Sequence, residues 1–173
     1  SYYASRFPSV EINYTFRRFP SEKSMQTWKA ETPETFRFTL KANQRITHWK
    51  RLADADQDVR DFLDLGRLLG ERLGTVLYQC PPTLEYDRGL IEAFVGYLPP
   101  APRAAMEFRH PSWIEARDLL LEQVLAQRQD LVDHVVHAAA EDQPVDQVVV
   151  GELGVVLLRA GLEHDLPVRE AHL

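Results

Sequence analysis

Four short stretches set polar side chains one position apart from apolar ones: Val10-Glu11-Ile12-Asn13, Phe38-Thr39-Leu40-Lys41, Thr75-Val76-Leu77-Tyr78-Gln79 and Met106-Glu107-Phe108-Arg109. In an extended chain, residues two apart share a face. Glu11 and Asn13 then stand opposite Val10 and Ile12, Thr39 and Lys41 opposite Phe38 and Leu40, and Glu107 and Arg109 opposite Met106 and Phe108. Two carboxylates and two cations make a balanced set. Lys41 and Arg109 could hold a phosphate or carboxylate, the arginine by a bidentate fork. Glu11 or Glu107 could serve as general base, with His48 or His110 carrying the proton. Asn13 and Gln79 would orient the ligand, and Trp113, with Trp49, would wall it or stack on a ring.

Each of these residues also has a plainer reading. Four charges on a covered face are costly unless paired, so the set could be an ion-pair network that satisfies itself. Glu11, His48, Glu107 and His110 are ligand types for a divalent ion. No compact spacing such as H-E-x-x-H supports a metal, and none is assigned. The cofactor is left undetermined. His110, ahead of Pro111, also reads as a turn cap, and His48, beside Trp49, as a loop anchor. Arg17, Arg18, Arg45, Lys50 and Arg51 add positive charge to loops at the same rim. They suggest a second function class, a non-catalytic module holding nucleic acid or a phosphate backbone. Cys80 reads as a small core residue.

The four stretches need a scaffold that aligns their ends. Ser21 is a plausible N-cap for a helix reaching about Glu31. Val59, Phe62, Leu63, Leu65, Leu69 and Leu73 recur at helical spacing from Asp54 or Asp56 onward, with Gly74 as the expected stop. Asp87 to Leu98 reads as a further helix on Leu90, Ile91, Phe94 and Val95. Strands then alternate with helices, which is the pattern of a parallel α/β sheet. In such folds, sites lie at the C-terminal ends of the strands, where Glu11, Lys41, Gln79 and Arg109 fall.

These motifs resemble the YecE-like family, also called domain of unknown function 72. The resemblance runs over about residues 2–113. It includes Val10-Glu11-Ile12-Asn13-Tyr14-Thr15-Phe16, Phe38-Thr39-Leu40-Lys41 with Ile46-Thr47-His48, Gln79-Cys80-Pro81-Pro82 and Met106-Glu107-Phe108-Arg109-His110-Pro111-Ser112-Trp113. It implies a partial TIM-type β/α barrel carrying strands two to five of the family barrel as a parallel sheet with flanking helices. On the family pattern, the chain starts inside the first helix, and the later strands are not found. The family has no settled activity, so an inactive truncated product is a third reading.

The chain has 173 residues, about one domain at ~150 residues per domain. Hydrophobic residues are 45% and charged ones 27%, which excludes a disordered chain or a disulfide scaffold. A net charge of −6 argues against a generally basic nucleic-acid coat. No apolar run is long enough to span a membrane, no secretory signal is visible, and a single cysteine fits a reducing cytoplasm.

The average conceals a division at residues 1–113 and 114–173. The first segment carries 16 Lys+Arg against 14 Asp+Glu, the second 4 against 12. From Glu115 onward there is no Ser, Thr, Asn, Lys, Ile, Met, Cys, Phe, Tyr or Trp. The types that remain can all be encoded by codons beginning with G or C. A GC-rich gene read out of frame yields such an alphabet, so the tail is expected to be either an out-of-frame product or an Ala/Leu/Val-rich segment of a GC-rich gene. Leu119 to Ala140 has helical potential, while Val148–Val150 and Val155–Leu158 look like strands. A partial barrel would leave sheet edges open to self-association.

Overall fold

The computed structural model describes residues 2–116, 147–149 and 155–159. Its first strand, β1 (Ser9–Ile12), leads into a short helix, α1 (Tyr14–Arg17), and then α2 (Glu22–Ala30). The pattern repeats as β2 (Arg37–Lys41), α3 (Asp56–Gly66), β3 (Leu73–Gln79), α4 (Arg88–Gly96), β4 (Arg103–Phe108) and the short α5 (Ser112–Glu115). Strands β5 (Gln147–Val149) and β6 (Val155–Arg159) complete the sheet in the order β1-β2-β3-β4-β6-β5. Strands β1 to β4 pair in parallel in chain order, β6 adds in parallel to β4, and β5 is antiparallel to β6. The expected helix between Leu119 and Ala140, and His134, His137, His164 and His172, lie outside the described residues.

One face of the sheet is apolar because the strands alternate. Ile12, Phe38, Leu40, Val76, Tyr78, Met106 and Phe108 are buried there with Met25 of α2, Val59, Phe62 and Leu63 of α3, and Ile91, Phe94 and Val95 of α4. Burying side chains of this size contributes roughly 1.5–3 kcal/mol each. The other face carries Glu11, Thr39, Lys41, Gln79 and Glu107 in register, with Leu77 and Ala105 beside them. Helix starts follow their caps: Ser21 Oγ accepts from the Ser24 amide at 3.1 Å, and Asp87 Oδ1 from the Leu90 amide at 3.0 Å.

Two elements differ from expectation. The helix on Val59 and Phe62 ends at Gly66, tightens into a 3-10 segment (Arg67–Arg72) and turns at Gly70, with φ 59° and ψ −137°. That backbone is open almost only to glycine. Gly70 therefore makes the stop expected at Gly74, and Leu73 joins the strand. Gly74 lies inside β3, where an added Cβ would meet Arg37 Cβ and the Phe38 carbonyl, both at 3.4 Å. Asn13 also leaves the strand. It precedes α1 with helical φ and ψ of −75° and −22°, and so does not continue the Glu11 face.

Candidate functional site

The strand ends are stitched together by residues whose role alternation does not show. The buried Thr15 hydroxyl lies 2.8 Å from the Ile12 carbonyl and 2.7 Å from the Lys41 carbonyl, joining the ends of β1 and β2. Asn43 donates to the Thr15 carbonyl at 3.0 Å and accepts the Arg45 amide at 3.0 Å. On β3 and β4, Gln79 and Glu107 are register partners.

Glu107 is the fixed point of this face. Gln79 Nε2 donates to its Oε2 at 2.7 Å, and Arg109 Nε donates to its Oε1 at 2.7 Å. Its side chain is 15% exposed and that of Arg109 41%. Gln79 thus orients Glu107 through a direct bond. The contact with Arg109 uses one of the five N–H donors of a guanidinium.

Glu11 and Lys41 are handled differently. They feel each other's charge, yet no close ion pair joins them among the described residues. Loss of solvation raises the Glu11 pKa, against the pull of Lys41 and with the push of Glu107. Glu11 as a whole residue is exposed. Loss of solvation lowers the Lys41 pKa, opposed by Glu11 and Glu107 and assisted by Arg109. The ammonium lies 5.2 Å from the Phe16 ring centroid.

His48 reaches this face from a π-helical turn, Arg45–Trp49, that follows β2. Its ring packs edge-on against Phe16 at 4.9 Å, and its Nδ1 is 2.9 Å from the buried Thr47 hydroxyl. Burial lowers its pKa, and Lys41, Arg109 and Arg51 lower it further. The ring is therefore held toward its neutral, basic form.

The remaining predicted residues stand elsewhere. His110 Nδ1 is 2.8 Å from Ser112 Oγ and accepts the Ser112 amide at 3.3 Å, so it holds the turn into α5. Trp113 is buried, stacked on Phe108 at 3.7 Å, with its indole N–H on the Leu84 carbonyl at 2.6 Å. It belongs to the core beneath the site and forms no wall of it. Asn13 is exposed beyond β1, and Trp49 is 69% exposed at the rim. Of the basic rim, Arg45 and Lys50 are engaged by Asp58 at 2.9 and 2.7 Å, and Arg51 by Thr83. Among the described residues, no three His, Cys, Asp or Glu side chains gather as a metal site. No described helix is long and apolar enough to cross a membrane.

Thr15, Phe16, Asn43 and Asp58 were not singled out in the sequence. The first three lie in or beside stretches already of interest. Asp58 carries only the weak signal of an acid in the first turn of a helix.

The fold has counterparts among known proteins. The family model described as "Protein of unknown function DUF72" matches residues 1–164. This chain belongs to the DUF72 family. The DUF72 match continues beyond Trp113, where the motif resemblance ended. Two relatives are UPF0759 protein YunF of Bacillus subtilis (strain 168), 30% identical over 64% of this chain and 42% of its own length, and UPF0759 protein YecE of Escherichia coli (strain K12), 30% identical over 64% of this chain and 41% of its own. The chain therefore spans less than half the length of these curated relatives. Crystal structures of DUF72 proteins share the fold. One from Enterococcus faecalis V583 has a TM-score of 0.62 at 23% identity, covering 72% of this chain and 49% of that one. One from Thermotoga maritima MSB8 has a TM-score of 0.58 at 32% identity, covering 70% and 50%. The DUF72 sheet here is the expected partial β/α barrel, with the polar residues at its strand ends.

Proposed function

We propose that the strand-end face binds a small anionic ligand bearing a phosphate or carboxylate, with Lys41 and Arg109 as its cationic contacts. The observation that carries this reading is the state of Lys41. It is partly buried and loses solvation, yet among the described residues it has no close counter-ion. A bound anion would restore what burial removes. Arg109, held in place by Glu107, offers further donors beside it.

Glu11 and His48 would then serve as proton carriers. Their environments move their pKa values toward each other, Glu11 up from 4.5 and His48 down from 6.5. Each shift favours the neutral form, a carboxyl that can give a proton and an imidazole that can take one, as general acid–base work requires. Glu107, clasped on both oxygens, is better suited to fixing Arg109 than to taking a proton. An alternative proposal, a nucleic-acid or phosphate-backbone module, has less support, because Arg45, Lys50 and Arg51 are already engaged within the chain.

The test is a titration of the full chain with inorganic phosphate and with citrate, followed by amide chemical shifts. Binding should perturb Lys41, His48 and Arg109. Lys41→Gln and Arg109→Gln should each weaken binding about tenfold, the loss of one charge-assisted hydrogen bond. Affinity unchanged in both variants would remove the face as an anion site. Binding of single-stranded nucleic acid that collapses between 50 and 200 mM salt, without phosphate binding, would favour the module instead.

A further inference from the structure

Asp58 has an environment unlike any other carboxylate in the described residues. It is buried, 6% exposed, in the first turn of α3, and both its oxygens face cations. Arg45 Nε lies 2.9 Å from Oδ1 and Lys50 Nζ 2.7 Å from Oδ2. Those cations come from the first residue of the π-helical turn and the residue just past its end. Single π turns recur at functional sites, since they re-aim a side chain at some cost in helix geometry. This one carries His48.

The chain beyond the turn is strained. Arg51, Leu52 and Asp54 have φ values of 52°, 71° and 47°. Non-glycine residues hold such angles only where the surroundings over-determine them. The restraints here are explicit. Leu52 is 1% exposed in the core, its amide donates to the Ile46 carbonyl at 3.0 Å, and its carbonyl accepts from the Tyr97 hydroxyl at 3.2 Å. Arg51 donates to the Thr83 carbonyl at 2.6 Å, and Lys50 Nζ to the Asp54 carbonyl at 2.6 Å. The bent return brings Lys50 back over α3, where it shares Asp58 with Arg45.

We propose that Asp58 is a positioning residue of the strand-end site, holding His48 in place through the Arg45 and Lys50 clasp that closes its turn. What the ring is positioned for rests on the anion-site reading above, whereas the clasp itself does not. Asp58 does not contact the ring. Its effect passes through the backbone of Arg45–Trp49.

The experiment uses Asp58→Asn in the full chain, with Arg45→Gln as a second variant. The Arg45 side chain is 55% exposed, and its loss leaves Asp58 paired with Lys50. Three quantities are read. The first is amide exchange at Lys50 and Leu52, which donate to Arg45 and Ile46 carbonyls, against amides of β2 and β3 as internal reference. The second is the imidazole titration of His48, and the third is affinity for inorganic phosphate.

Asp58→Asn should speed exchange at Lys50 and Leu52 at least tenfold with the strand amides unchanged, raise the His48 pKa toward 6.5, and weaken phosphate severalfold. Removing a negative charge alone would push His48 down, so a rise reports a ring released into solvent. Arg45→Gln should speed exchange at Lys50 and Leu52 by less, and because losing a positive charge alone would raise His48 and weaken phosphate, its exchange readout decides the matter if Asp58→Asn does not fold. Unchanged exchange, or a His48 pKa that falls, overturns the proposal and leaves Asp58 as a helix-terminal acid. If the wild-type chain ignores phosphate while the turn still loosens and His48 rises, the clasp stands and the anion reading fails.

Discussion

Glu11, Lys41 and His48 are each pushed toward their uncharged forms by the same surroundings, and this has a definite pH signature. Glu11 has a folded pKa above 4.5, so over the window just above 4.5 the unfolded chain releases a proton that the fold retains. Stability falls as pH rises through that window. His48 has a folded pKa below 6.5, so just below 6.5 the unfolded chain binds the extra proton, and stability rises with pH there. Lys41 acts in the same sense as His48 on the approach to 10.5. Glu11→Gln should therefore raise Tm slightly at pH 7 and less at pH 4, as read by thermal unfolding, the exposure of the residue keeping the effect small. An equal or negative change at pH 7 would show that the pull of Lys41 outweighs burial. The charges at the strand ends were legible in the sequence because they alternate with apolar residues. Trp113 is buried in the core, which the sequence could not show because an aromatic next to a polar motif reads alike whether it walls a site or fills the core. Asp58 was missed because its partners, Arg45 and Lys50, are brought to it by positive φ angles that no periodicity encodes.

At the level of elements, glycine positions separate two kinds of chain turn. Gly70, with φ 59° and ψ −137°, turns the chain into β3, and Gly70→Ala should cost about 1–3 kcal/mol in chemical denaturation. Gly96 ends α4, and a Cβ there meets nothing within 4 Å. Gly96→Ala should be neutral or stabilise by about 0.5–1 kcal/mol. The pair differ in sign only if the conformation at Gly70 is required. Removing the carboxylate that caps α4, Asp87→Ala, should cost about 1 kcal/mol by the same measurement. Strands β1 to β4 and helices α2 and α4 were readable to within a residue or two, because their caps and alternation agree. The end of α3 was not, because the sequence pattern puts the stop at Gly74 and only backbone geometry shows that Gly70 makes it.

For the whole molecule, the sheet is the decisive object. Strand β1 pairs only with β2 among the described residues, and the exposed Tyr2 (78%) and Phe7 (54%) lie just ahead of it. An edge unpaired among the described residues, beside exposed aromatics, favours association. Light scattering on the full chain should show a concentration-dependent shift above the 19.9 kDa monomer, reduced by Phe7→Ser. A monomer at every concentration would remove the edge as a contact. At the far side, the Val-rich run expected to be a strand forms β6, which lies parallel to β4 from Ala104–Val155 to Phe108–Arg159. The abrupt change of alphabet after Trp113 remains a statement about the gene, and sequencing across codons 105–125 with an intact mass of the product tests it. A shifted frame that restores aromatic and β-branched strands would assign the change to the reading frame, and an unbroken frame would make the segment native.

Cys80 gives the protein a built-in clock. It is the sole cysteine, 1% exposed at the end of β3, and burial pushes its thiol up to about 12. Its amide is bonded to the Glu107 carbonyl at 2.8 Å and its side chain is buried, so the sulfur is reached only through local opening around the end of β3. A thiol reagent added to the native chain will therefore record how often that end of β3 opens beneath the strand-end face. Any anion that settles on that face will slow the labelling in proportion to its occupancy, which makes a colorimetric trace a screen for ligands of unknown identity.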